Sequence, residues 1–272
     1  MKTIKQKFNI LRAVAVVTYK EWSAYRTHSM VSIFVGPVYF IVQYFIWTAA
    51  YGVKTELNGM DLTQMITYFG ASTLIGYLTM DFADWNLQML IRTGKFITFT
   101  LRPIHHRFFA FSQKVGHRLL GLLFEFIPCY IIFTLLFKVP LVPRHIGWTI
   151  LSVILAFLMN FYIHYILGMT AFWFTQSSGL RRIFDLLSGV FSGVFIPLVF
   201  FPQTIQRALL FLPFPYMSYV PVMVFTGNFN LAGIQMDIPV IVGIQALAVC
   251  ITMAFSELIY RASMRRFNGV GA

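Results

Sequence analysis

The sequence predicts an all-α integral membrane protein with six transmembrane helices. An amphipathic N-terminal helix lies in the interface, and an external re-entrant helical hairpin separates spans five and six. Three observations predict this class. Hydrophobic residues make up 58% of the 272 positions and charged residues 11%, where a soluble domain carries about a quarter charged residues. Thirty phenylalanines are more than a soluble core of this length needs. Six apolar runs alternate with segments whose Lys and Arg fall mostly on one side. The formal charge of +12 is gathered between apolar runs, which sets membrane orientation and argues against nucleic acid as a partner. Soluble enzymes and disordered chains fit no better. Cys129 and Cys250 both lie in apolar stretches, so no disulfide framework or zinc spacing arises.

Residues 1–29 are basic, with Lys2, Lys5, Lys7, Arg12, Lys20 and Arg26 against Glu21. Ile4, Phe8, Leu11, Ala15, Tyr19, Trp22 and Tyr25 recur every three or four positions, which predicts a helix with one apolar stripe on an anionic leaflet. The stretch does not read as a cleaved signal, because its charged region is too long and a full-length apolar run follows. That run, Met30 to Tyr51, is uncharged and long enough for roughly 30 Å of hydrocarbon, with a kink expected at Gly36-Pro37. A short polar loop precedes the second span, Leu62 to Thr79, which Asp81 and Asp84 end. Residues 85–117 are mixed and basic, the longest segment between spans. The third span is Arg118 to Phe137 and the fourth Trp148 to Phe174; a basic turn then leads into the fifth, Ile183 to Phe201. Residues 202–230 are apolar yet carry Pro202, Pro213, Pro215 and Pro221. That proline density forbids a straight span, and the hydrophobicity forbids a solvated loop, so a re-entrant hairpin is expected. Ile238 to Tyr260 is the sixth span, and a basic tail follows.

Counting Arg118 at the base of the third span, 17 of the 21 Lys and Arg fall on the N-terminal side of the membrane; Lys54, Lys138, Arg144 and Arg207 fall on the other. Both termini are therefore expected in the cytoplasm and the Pro-rich hairpin outside. Residues 1–272 read as one multi-pass transmembrane domain, with no internal repeat of the kind many secondary transporters show.

No G-x-x-x-x-G-K-[ST], H-E-x-x-H or G-x-S-x-G motif occurs, so the chain binds no nucleotide by a P-loop and carries no recognisable hydrolase site. His105 and His106 sit beside Arg107 with no carboxylate or Cys cluster, which reads as a solvated face and not a metal site. Gly189 and Gly193 form a G-x-x-x-G in the fifth span, suited either to packing within one subunit or to a subunit interface. Glu125 lies seven residues beyond Arg118, roughly 10 Å into the membrane. His164 lies at matching depth on the antiparallel fourth span, with Asn160 one turn further out. A Glu125–His164 pair is expected, either as interhelical glue or as a cation- or proton-sensitive element of a transport path.

Ile91-Arg92-Thr93-Gly94-Lys95, then Leu101-Arg102-Pro103, resembles the loop between the second and third spans of ABC-2 type transporter permeases. Phe195-Ile196-Pro197-Leu198 with Phe201-Pro202, then Leu212-Pro213-Phe214 and Gly227-Asn228, is similar to that family's fifth-span exit and external re-entrant region. Lys95 departs from the pattern, which often has an acidic residue after the loop glycine. The resemblance covers essentially the whole chain. It implies an exporter permease that binds no cofactor itself and works with a separate ABC ATPase carrying ATP and Mg. The partner permease is a second copy or a paralogue. It also implies that Arg92, Gly94, Lys95, Leu101, Arg102 and Pro103 form the coupling element. Spans one, two and five would face the partner and the substrate path, with Phe191 and Phe195 lining it. Drug-like, peptide, lipid-linked and bacteriocin substrates all stay open, and a bacterial plasma membrane is the expected location. The alternative is a transporter driven by an ion gradient through Glu125 and His164; a lipid-modifying membrane enzyme lacks a catalytic cluster.

Overall fold

Helices α1 (Ile4–Ala24) and α2 (Arg26–Tyr51) open the chain in a computed structural model that describes residues 4–24, 26–102, 104–174 and 178–266. Helix α1 exposes Lys5, Phe8, Arg12, Val16 and Lys20 and buries Ala15 and Thr18; Phe8, expected on the apolar stripe, is 64% exposed. In α2, Pro37 follows Gly36 inside the helix. The Tyr77 ring fills the space beside Gly36, and its hydroxyl accepts the Gly36 N–H at 2.7 Å.

A two-residue hairpin links α2 to the next helix: β1 (Glu56–Leu57) pairs antiparallel with β2 (Met60–Asp61). Asn58 (φ 49°) and Gly59 (φ 78°) make its turn, the Asn-Gly signature of a tight hairpin. Helix α3 (Leu62–Thr79) begins with a full capping box between Asp61 and Gln64. Met65, Tyr68, Phe69 and Ala71 on α3 are wholly buried, so this helix runs through the middle of the bundle. Short helices α4 (Ala83–Arg92) and α5 (Ile97–Thr100) follow.

Helix α6 runs from His106 to Leu136 and includes wide π-helical turns at Leu122–Phe126 and Ile132–Leu136. It absorbs residues 106–117, which the sequence suggested were loop. The apolar run marks where the helix enters hydrocarbon, but the helix itself starts earlier, where its amphipathic face packs on α1. At their crossing, Gly116 has no room for a side chain against the Ala15 backbone. Helix α7 (Ile146–Met169) continues as a 3₁₀ turn to Phe172, and α8 covers Ser178–Phe191.

The expected fifth span, Ile183 to Phe201, is not one helix. The helix stops at Phe191, and Gly193 takes φ +82°. The freed carbonyls are satisfied from neighbouring helices: Tyr68 donates to Gly193 O and Tyr39 to Val194 O, both at 2.7 Å. Helices α9 (Gln203–Leu209), α10 (Phe214–Met217) and α11 (Tyr219–Thr226) then fold against the bundle. Asn160 Nδ2 donates to Met217 O at 3.4 Å, about 20 Å along α7 from its Ile146 end. Val220, Val222 and Val224 are buried where α11 meets α3, α7 and α12. A second hairpin, β3 (Phe229–Leu231) with β4 (Ile234–Met236), leads into α12 (Ile238–Arg266). Helices α12 and α7 are clamped by Gln245, which accepts from Ser152 Oγ at 2.6 Å and donates to the Ser152 and Tyr216 carbonyls.

Among the described residues, four helices are long and apolar enough to cross a membrane: Phe34–Tyr51, His106–Leu136, Ile146–Phe172 and Ile238–Arg265. The chain is a nearly all-α membrane protein. Enlarging Gly116 tests the α1–α6 crossing. Gly116→Leu should lift α1 from α6 at a cost of about 1–3 kcal/mol for overpacking. Hydrogen exchange across 4–24 should then accelerate while α7 and α12 keep their protection.

Candidate functional site

The chemistry-bearing side chains gather where the end of α3 meets α4, α6, α7 and α8. Asp81 and Asp84, which the sequence suggested merely end the second apolar run, are 5% and 0% exposed. Lys114 on α6 meets Asp81 at 2.7 Å, with both side chains almost fully enclosed. The same ammonium donates to the carbonyls of Phe157 at 2.8 Å and Thr79 at 3.2 Å and lies 4.2 Å from the Phe157 ring. Burial alone raises the Asp81 carboxyl, but Lys114 above all, with His164 and the Ala83 N–H, outweighs it and holds the group below the usual aspartate range.

Asp84 sits in the first turn of α4 between two other helices. His164 Nδ1 of α7 lies 3.4 Å from one oxygen, and Arg181 Nη1 of α8 lies 3.0 Å from the other. Neither contact has hydrogen-bond alignment. Close backbone approach makes this possible: a side chain on Gly168 of α7 would run into Asp84 and Leu87. Arg181 also reaches Asp185 at 3.5 Å.

The expected Glu125–His164 pair does not form. Glu125 faces Arg118 at 3.6 Å on its own helix, in space left open by Gly121, while His164 faces Asp84. Depth was judged from two helices alone; α4 packs onto α7 and supplies a nearer carboxylate. Arg118 also donates to Tyr77 O at 2.5 Å and pairs with His117. Asn160 donates to Ala156 O and Met217 O, and its partners lie on α7 and α10. Phe191 turns inward to Phe201 and Phe214, with ring centroids 6.2 and 6.0 Å away. Phe195 is the exposed member, at 44%, and its ring lies against Gly189. Gly189 and Gly193 therefore accommodate Phe195, Tyr68 and Tyr219 of this same chain, and the helix ends between them.

The other expected cluster forms a turn on the end of α4. Ile91 and Phe96 are buried against Leu87, Phe161 and Tyr165, which points Arg92, Lys95 and Leu101 outward; Leu101 is 83% exposed. Gly94 takes φ +69°, a left-handed position suited to glycine, and its N–H bonds Ile91 O at 3.1 Å. Arg102 stacks over the Phe99 ring at 4.9 Å. Pro103 lies outside the described residues. Trp85, Met89 and Ile97 are exposed beside these cations, giving a mixed apolar and basic surface. The hub of Asp81, Asp84, Lys114 and Arg181 was missed, although Lys114 and Arg118 one turn apart beside an apolar run were a visible signal.

Removing Lys114 alone strands Asp81 as a buried charge, and Lys114→Ala should cost about 3–5 kcal/mol of stability. The Asp81→Asn/Lys114→Met pair should lose much less, as thermal unfolding in detergent would show. Because the folded Asp81 is depressed, its stabilisation is present above the ordinary aspartate value and is lost as pH falls through the depressed one. The double variant should flatten that acid limb of the melting curve.

Residues 38–271 match the family described as ABC-2 family transporter protein. No curated protein matches the chain.

Proposed function

The chain belongs to the ABC-2 family of transporter proteins, and on that premise we propose that it is the permease subunit of an ATP-driven exporter. Family permeases work with ABC ATPases, and this sequence holds no P-loop of its own. Energy then has to arrive through a protein surface. The observation that carries the reading is the two-sidedness of α4 and its following turn. One side offers Met89, Arg92, Lys95 and Leu101 outward; the other anchors through Asp84 to His164 on α7 and Arg181 on α8. ATPase closure pushing on the outer side would move α8 through the Asp84–Arg181 contact. Such a push shifts the equilibrium only insofar as the ATPase binds the two permease states with different affinity.

Helix α8 suits the moving part. Its inner side meets the rest of the chain through Arg181, Phe184 and Phe191, and Leu180, Ile183, Leu186 and Leu187 form an exposed stripe on the other. A second permease, identical or paralogous, covers that stripe in this reading. The path between the two subunits is apolar and aromatic, with Phe195 facing it, and suits amphipathic or hydrophobic cargo, drug-like molecules included. Six passages are counted by adding α3 and the broken α8 unit to the four long helices. Residues 202–230 then form an external re-entrant cap, both termini face the cytoplasm, and the location is the bacterial plasma membrane.

Gentle affinity purification from native membrane with mass spectrometry tests the assignment: a stoichiometric partner with a P-loop supports it, and its repeated absence overturns it. Gly94→Pro/Arg102→Glu should insert normally yet recover about tenfold less ATPase. Asp84→Asn should keep the ATPase bound and hydrolysing while transport falls about tenfold, since it breaks transmission and not docking.

A further inference from the structure

A cavity of about 550 Å³ opens between α1, the start of α4, the base of α6 and the base of α8, within the size range of small-molecule sites. Its floor is the Asp81–Lys114 pair, and its walls include Met80, Phe82 and Trp85. Around it stand Glu21 of α1 and Arg182 and Asp185 of α8. Arg181 is already committed to Asp84 and Asp185. Glu21 and Arg182 make no ion pair among the described residues and are both exposed. Among the described residues, the cavity thus presents one unpaired cation, Arg182, and one unpaired carboxylate, Glu21, seconded by the 52%-exposed Asp185 side chain, over a largely apolar wall.

The height of the opening identifies what reaches it. Helix α1 exposes Val16 and Val17 between Arg12 and Lys20, a face that suits the boundary between headgroups and acyl chains. Trp85 is 55% exposed and Met80 40%, both at the cavity wall, and tryptophan favours that same boundary. Charge then selects among lipids. An anionic headgroup would satisfy Arg182 and leave the carboxylates facing a phosphate. A choline headgroup carries a cation with no N–H to donate. A primary ammonium next to a phosphate matches both signs and donates three hydrogen bonds.

We infer that this cavity is a binding site for a phosphatidylethanolamine-type lipid of the inner leaflet, its phosphate on Arg182 and its ammonium on Glu21 and Asp185. The bound lipid joins α1, α4 and α8 through one ligand, and so sets the spacing between the coupling helix and the helix it moves. The leaflet and the effect on coupling rest on the orientation and function proposed above; lipid binding itself rests on the membrane character of the chain.

The test uses the purified full chain in detergent, exposed to an equimolar mixture of phosphatidylethanolamine, phosphatidylcholine and phosphatidylglycerol and read by native mass spectrometry. Phosphatidylethanolamine should be retained about tenfold over either competitor. Glu21→Gln and Arg182→Gln should each lower that preference about two- to fivefold, the range for an exposed charge contact. Melting temperatures of both variants in phosphatidylcholine discs should match the parent, which excludes misfolding. A photoactivatable phosphatidylethanolamine should label residues 80–86, separating the site from lipids around the belt. Equal retention of all three lipids, a preference for phosphatidylglycerol, labelling elsewhere, or an unchanged preference in the Glu21→Gln and Arg182→Gln variants would each overturn the assignment.

Discussion

A backbone polar group inside hydrocarbon has no water to turn to, and the architecture follows from how this chain meets that demand. Long helices satisfy it internally. At several places where the chain departs from a helix, a side chain closes the gap. Tyr68 and Tyr39 take the carbonyls of Gly193 and Val194, and Tyr216 takes Leu210 O. Gln206 bridges Phe201 O and the Ala232 N–H, and Asn160 reaches Met217 O. Each hydroxyl or amide stands where an orphaned group would otherwise cost several kcal/mol. Tyrosine serves well because one end packs with apolar neighbours and the other bonds.

Charge obeys the same economy. Exposed pairs such as Arg261–Glu257 contribute little, because water screens them and ordering two long side chains is unfavourable. Enclosed pairs are different in kind. Asp81–Lys114 is surrounded by carbonyls and an aromatic ring, so its integrity decides whether the junction of α3, α4 and α6 holds together. Asp84 is enclosed as deeply but less tightly bonded, touching two helices without an aligned hydrogen bond to either. Asp81 thus ties α6 to the end of α3, while Asp84, three residues on, lies between α7 and α8.

Composition, apolar run length and the Lys/Arg asymmetry were enough to read a helical membrane protein, because bilayer thickness and interfacial charge act on sequence directly, without tertiary context. The turn at Gly94 and the cations Arg92, Lys95 and Arg102 were singled out through the loop's resemblance to a family pattern; the left-handed turn and the outward placement come from the structure. The Asn58-Gly59 hairpin was equally visible as a turn signature, although the sequence reading treated it as loop. What the tertiary structure alone decided was partnership. Glu125 and His164 share a depth, yet they separate because α4 inserts Asp84 beside His164 and a π-turn returns Glu125 to Arg118. Likewise Gly189 and Gly193 have the spacing of a helix-packing motif, but the helix ends between them and both lie under side chains of the same chain. A sequence records which groups must find a partner; which partner each one meets depends on the order in which helices pack, and that order is written in distances no linear spacing contains.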